Sequence, residues 1–188
     1  AVTVIAITLA VTAIGFVNAR RTAKVLWVDI PINKLPEQLK GFTIVQITDI
    51  HVGSTIKGDY VQAIVNRVNS LNADLVAITG DVVDNTVEAL WQHTAPLGEL
   101  RAYHGSYVVT GNHEYYSGAE EWIAEFRRLG LKPLLNEHIV IDHHGAQLTI
   151  AGINDYSAIS RDPAETSAED EAHRVQRPAQ EVLAHYRQ

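Results

Sequence analysis

Short apolar runs at residues 43–48 (TIVQIT), 75–79 and 106–110 alternate with stretches of helical periodicity, and this alternation leaves few folds open to the chain. The first run has the length and composition of a buried parallel strand. After it, residues 59–71 place Val61, Ile64, Val65, Val68 and Leu71 at the spacing of one helix face. The cycle repeats with a helical region over 86–101 that Pro96 interrupts, and with a helix over 119–129 that stops at Gly130. Strands alternating with helices predict an α/β fold whose parallel sheet is joined by right-handed crossovers. Beyond Pro133 the pattern changes to two β-rich runs, 138–142 and 147–153, separated by His143-His144-Gly145-Ala146, which reads as a hairpin. Residues 157–177 are polar and read as a surface excursion with one short helix, and 181–184 read as a last strand delivering His185.

Residues 1–19 carry no charge and are mostly Ala, Val, Ile and Leu, with Arg20, Arg21 and Lys24 close behind. At 1.5 Å per residue such a helix covers about 28 Å, close to the ~30 Å hydrocarbon thickness of a bilayer. The expectation is an N-terminal transmembrane helix, the last of several if the protein extends upstream, as the missing initiator Met suggests. A buried soluble helix is the alternative by length. A signal peptide cleaved near Val17-Asn18-Ala19 lacks a basic leading region. The basic cluster after the helix puts the globular part of the chain on the cytoplasmic side. Residues 20–41 then form a connector with a strand over 25–32, broken by Pro31 and Pro36, and residues 42–188 form the globular domain.

At 188 residues with 46% apolar content, the chain fills one core of ordinary size. Asp and Glu outnumber Lys and Arg 22 to 15, for a formal charge of −7, and no basic block extends beyond Arg20-Arg21. Polynucleotide binding depends on neutralising phosphates with cations, so a nucleic-acid polymer is not an expected partner. With no cysteine, disulfides, thiolate metal sites and a cysteine nucleophile are excluded.

Each of the three strand-like runs ends in a short polar motif: Thr48-Asp49-Ile50-His51, Gly80-Asp81-Val82-Val83-Asp84 and Gly111-Asn112-His113-Glu114. Asp, His and Asn hold hard or borderline divalent cations, and an open α/β sheet gathers its ligands at strand ends. Asp49 and His51 are two apart, so they share a strand face and can reach one cation. Asp81 follows a glycine that lets the backbone turn, and its two oxygens can bridge two metals. Asn112 offers a neutral carbonyl oxygen to the second metal, and His113 faces the substrate.

These motifs resemble those of the calcineurin-like metallophosphoesterase superfamily, D-x-H, G-D-x-x-D and G-N-H-E, in order. The likeness extends to Gly41-Phe42-Thr43-Ile44-Val45-Gln46 and to Tyr115-Tyr116-Ser117-Gly118, as in the membrane-linked bacterial branch. The resemblance implies an αββα sandwich, present in part, and hydrolysis of a phosphate monoester or diester by a metal-bridging hydroxide. It implies two divalent cations, of Mn, Fe, Zn, Co or Ni. Asp49, His51 and Asp81 would hold the first; Asp81, Asn112 and His185 would hold the second. His113 would be the catalytic acid, Asp84 would orient His51 through its other ring nitrogen, and Glu114 and Tyr115 would stand behind the ligands or at the substrate mouth. The likeness to that branch and the N-terminal helix imply a bacterial cell membrane as the protein's location, and a lipid-linked phosphate is an attractive substrate for a site held there. One departure matters: the closing G-H-x-H motif does not occur in these 188 residues. A fragment of a longer protein explains this, and a non-catalytic, membrane-anchored metal-binding or interaction remnant is the rival.

Other residues suggest only packing or solvation. His143-His144 reads as a solvated pair, His93, His104, His138 and His173 as isolated, and Trp27, Trp91 and Trp122 as core or interface residues.

Overall fold

The computed structural model describes residues 2–19 and 23–161. The chain divides into two compact units, Ala1–Pro31 and Ile32–Gln188. In the first, helix α1 spans Val2–Ala19, and its apolar side chains, among them Val2, Ile5, Leu9 and Phe16, are exposed. Eighteen residues cover about 27 Å, short of the ~30 Å of a hydrocarbon core. Among the described residues, no helix is long and apolar enough to cross a membrane. The strand expected over 25–32 does not form: this segment is irregular, with Leu26, Trp27, Val28 and Ile30 exposed. Pro31 has no N–H to offer a ladder.

The second unit is built on a parallel sheet of four strands in the order β1 (Ile44–Ile47), β2 (Leu75–Thr79), β3 (Ser106–Val109) and β4 (Lys132–Pro133). Ile44 pairs with Leu75, Val76 with Ser106, and Tyr107 with Lys132. On one face Ile47, Val76, Ile78 and Val108 pack against Val61, Val65 and Val68 of α2 (Gly58–Asn69), Leu90 of α3 (Val87–Thr94), and Trp122 and Phe126 of helix α5 (Ala119–Arg128). Each such side chain withdrawn from water contributes about 1.5–3 kcal/mol. The alternate strand residues, Leu75, Ala77, Tyr107 and Val109, face the other way onto a hairpin of β5 (Glu137–His143) and β6 (Ala146–Gly152). The period-2 alternation thus separates a helical layer from a β layer, with the parallel sheet between them.

The structure refines several expectations. Pro96 closes α3 early, and the chain continues as a 3₁₀ turn over Ala95–Glu99. The hairpin turn is two residues, because His143 pairs with Ala146, and His144 and Gly145 take φ of 55° and 88°. Two positive angles are what a tight turn matched to strand twist requires. Strand β4 and the six-residue helix α4 (Asn112–Ser117) were not anticipated. Trp122 is fully buried, but Trp27 and Trp91 are 72% and 48% exposed, so neither is a core residue. Most of the predicted polar excursion, and the final strand with His185, lie outside the described residues.

Candidate metal centre

The three polar motifs emerge from the C-terminal ends of β1, β2 and β3, and main-chain pairing continues past those ends. Asp49 N–H donates to Gly80 O at 3.2 Å, His51 N–H to Asp81 O at 3.1 Å, and Val52 N–H to Val82 O at 2.8 Å. Within this extended ladder Asp49, His51 and Asp81 all have left-handed backbones, with φ of 52°, 51° and 52°. Such a conformation costs a residue with a Cβ about 1–2 kcal/mol. Strain of this kind persists where the surroundings over-determine it, and it gathers at functional sites.

The glycines of the second and third motifs have a steric cause. A Cβ on Gly80, whose φ is +84°, would lie 2.5 Å from Gly111 N, and one on Gly111 would lie 2.2 Å from Asp81 Oδ1. The two loops therefore meet backbone to backbone, which brings Asp81 against the third motif.

Asp49, His51 and Asp81 each offer one ligand atom, and these atoms lie within 4.8 Å of one another. Asp49 Oδ1 is 3.8 Å from His51 Nε2. Two carboxylates and an imidazole converging on one point are the donor set that Mn, Fe, Zn, Co or Ni accepts. His51, Asp84 and His113 form a second convergent group. Here hydrogen bonding accounts for the geometry: Asp84 Oδ1 is 2.7 Å from Nδ1 of His51 and 2.7 Å from Nδ1 of His113. With Asp84 ionised, each Nδ1–H donates to that oxygen, and both Nε2 atoms are left free for other partners. The hydrogen bond to Asp84 is the main cause that raises the His51 pKa. Burial opposes the shift, while the charges of Asp84, Asp81 and Asp49 add to it. The two imidazoles meet edge to face, with centroids 4.5 Å apart.

The remaining predicted residues divide. Asn112 opens α4 directly after Gly111, beside His113. His113 also donates its main-chain N–H to Asp81 Oδ1 at 3.0 Å. Glu114 is fully buried, and its carboxylate accepts N–H groups of Asp81, Val82, Val83 and Gly111. Burial raises its pKa, against the pull of those four bonds. Tyr115 bonds Thr110 Oγ1 through its hydroxyl at 3.0 Å, whereas exposed Tyr116 sets its ring 5.7 Å from that of His113. Tyr116, and not Tyr115, is thus the tyrosine whose ring lies beside that of His113. His185 lies outside the described residues.

A second histidine cluster corrects the sequence reading. His143 is not solvated but 8% exposed, and its Nδ1 is 2.9 Å from Nε2 of His104, which is therefore not isolated. Phe42 stacks on His104 and meets His143 edge-on. His93 also has a partner, accepting from Gly58 N–H at 3.4 Å. No spacing signal could have paired residues 39 apart.

Residues 42–187 match the family model described as calcineurin-like phosphoesterase. A Danio rerio protein named transmembrane protein with metallophosphoesterase domain is 39% identical over 81% of this chain and 36% of its own length. A Bos taurus protein of the same name is 36% identical over the same shares. A Helicobacter pylori protein described as an uncharacterized metallophosphoesterase is 37% identical over 78% of this chain and 38% of its own. The chain thus spans little more than a third of the length of these relatives. With three motifs converging at one sheet edge and a family match over most of its residues, the chain belongs to the calcineurin-like phosphoesterases.

Proposed function

We propose that this centre hydrolyses a phosphate monoester or diester with the help of two divalent cations. The observation that carries the reading is the convergence of Asp49, His51 and Asp81 beside His113, whose Nδ1 is held by Asp84. Asp49, His51 and Asp81 would hold one cation; Asp81, Asn112 and His185 would hold the other. When bound, such a pair clamps phosphoryl oxygens and lowers the pKa of an attacking water. Asp81 Oδ1 accepts the His113 main-chain N–H, and the carboxylate keeps its remaining lone pairs for ligation. Asp84 orients His51 toward the cation and fixes the ring of His113 through Nδ1, and Nε2 of His113 donates a proton to the leaving oxygen. The Tyr116 ring stands beside that imidazole.

Attachment to a bacterial cell membrane, with the centre on the cytoplasmic side and a lipid-linked phosphate as substrate, is part of the proposal. It is supported by the exposed apolar surface of α1 and by relatives whose names describe transmembrane proteins. The rival reading is a non-catalytic metal-binding or interaction module. Mn²⁺-dependent hydrolysis of bis(p-nitrophenyl) phosphate and p-nitrophenyl phosphate by the full-length protein separates the two. The enzyme reading expects turnover that Asp81→Ala abolishes and that His113→Ala slows about 100-fold or more. Absence of turnover in the unmutated protein, or variants as fast as it, favours the module.

A further inference from the structure

Glu114 is an ionisable side chain with 0% exposure, wedged between the loops that follow β2 and β3. Its Oε2 accepts the N–H of Asp81 at 3.0 Å and of Gly111 at 2.7 Å; its Oε1 accepts those of Val82 at 2.7 Å and Val83 at 3.2 Å. Three consecutive amides of one loop and the Gly111 amide of the next thus end on one carboxylate. A buried N–H without an acceptor is costly, and a carboxylate accepts at both oxygens with no donor of its own. The next residue back, His113, holds Asp81 Oδ1 with its own main-chain N–H at 3.0 Å. Asp81 is therefore gripped twice by the first turn of α4, through its backbone by Glu114 and through its carboxylate by His113.

We infer that Glu114 is a positioning residue that sets the left-handed backbone of Asp81, and with it the direction of the Asp81 carboxylate, before any cation arrives. The inference rests on the reading of Asp81 as a metal ligand. It assigns Glu114 neither to substrate nor to the cation itself, since all the contacts described for its oxygens are main-chain amides. Glutamine cannot replace it. Whichever way the amide turns, its NH₂ faces either the Asp81 and Gly111 amides or those of Val82 and Val83, so donors oppose donors and half of the bonds are lost.

The test is calorimetric titration of the metal-free, full-length protein with Mn²⁺, comparing the unmutated chain with Glu114→Gln, alongside steady-state kinetics at saturating Mn²⁺. Groups that orient metal ligands typically change metal affinity or activity about 10–100-fold when removed. The expected result is a Mn²⁺ Kd raised about 10–100-fold, a reduced kcat, and an unchanged KM, because Glu114 does not touch substrate. A folded Glu114→Gln protein that binds Mn²⁺ as tightly as the unmutated one overturns the inference. Tight Mn²⁺ binding without hydrolysis by the unmutated protein overturns the phosphoesterase reading instead and leaves the binding comparison intact. Should Glu114→Gln not fold, amide exchange in the unmutated metal-free protein decides. Protection of the Asp81, Val82, Val83 and Gly111 amides before Mn²⁺ is added supports a preset loop, and protection only after Mn²⁺ overturns it.

Discussion

Nδ1 of His113 lies 2.7 Å from Asp84 Oδ1, and the same oxygen lies 2.7 Å from Nδ1 of His51. One acceptor thus fixes the ring of a proposed metal ligand and the ring of a proposed acid. Asp84→Ala is expected to lower kcat/KM about 100-fold or more, since an oriented general acid contributes about 10²–10⁴ and a ligand's orienting partner about 10–100. The informative comparison is a double-mutant cycle. On a His113→Ala background, Asp84→Ala still slows the enzyme because His51 is loosened as well. A double variant no slower than His113→Ala alone means that Asp84 acts through His113 only.

Gly111→Ala is expected to damage the protein more than Gly130→Ala. At Gly130, φ is +84° and a Cβ meets nothing within 4 Å, so the cost is the left-handed backbone alone, about 1–2 kcal/mol. At Gly111 the added carbon runs into Asp81 Oδ1 and Asp81 N at 2.2 and 2.6 Å. Urea unfolding of both variants checks this. Equal midpoints would mean that the two loops yield without penalty.

The His104–His143 pair predicts a pH dependence near the N-terminal end of β3, away from the strand ends that carry the motifs. Burial lowers the His104 pKa, and neighbouring His143 and His144 add to the shift, while Asp74 and Asp142 oppose it. A depressed folded-state pKa means that the unfolded chain takes up the proton more readily. The stability this gives is present above the unfolded value of about 6.5 and is lost as pH falls through the lower folded value. His104→Gln, which does not titrate, is expected to flatten the fall in Tm between about pH 7.5 and 5. Thermal scans of both proteins at those pH values are the check, and parallel curves refute the assignment.

Chelation supplies a prediction that does not depend on catalysis. A ligand that binds only the folded state stabilises it by about 2.7 kcal/mol at 100 times its Kd, roughly 5–10 °C in Tm for a domain of this size. EDTA is therefore expected to lower Tm and Mn²⁺ to restore it in the unmutated protein. In Asp81→Asn both effects should shrink.

The parts of the fold that rest on local pattern were legible in the sequence. β2 falls at Leu75–Thr79 as the apolar run implies, and α5 stops before Gly130, whose positive φ ends it. The three motifs were also visible, because ligand types after strand-like runs need no tertiary information. What escaped depends on contacts distant in sequence. Neither α4, six residues long and tied down by Glu114, nor the two-residue β4 has a period to read. The bond between His104 and His143 joins a loop to the last residue of β5. The apolar run over 25–32 shows the converse: strand-like composition without a described partner gives no strand.

The main-chain bonds that carry the ladder past β1 and β2 also govern where the chain tolerates a change in length. Adding one residue between Asp49 and Val52 would put the N–H groups of His51 and Val52 out of step with Asp81 O and Val82 O, and would turn each side chain toward the wrong face. The His144-Gly145 turn of the hairpin, by contrast, is exposed, and a Cβ on Gly145 meets nothing within 4 Å. A peptide tag or a fluorescent-probe site is therefore best introduced at that turn, and the strand-end loops are where length is least negotiable.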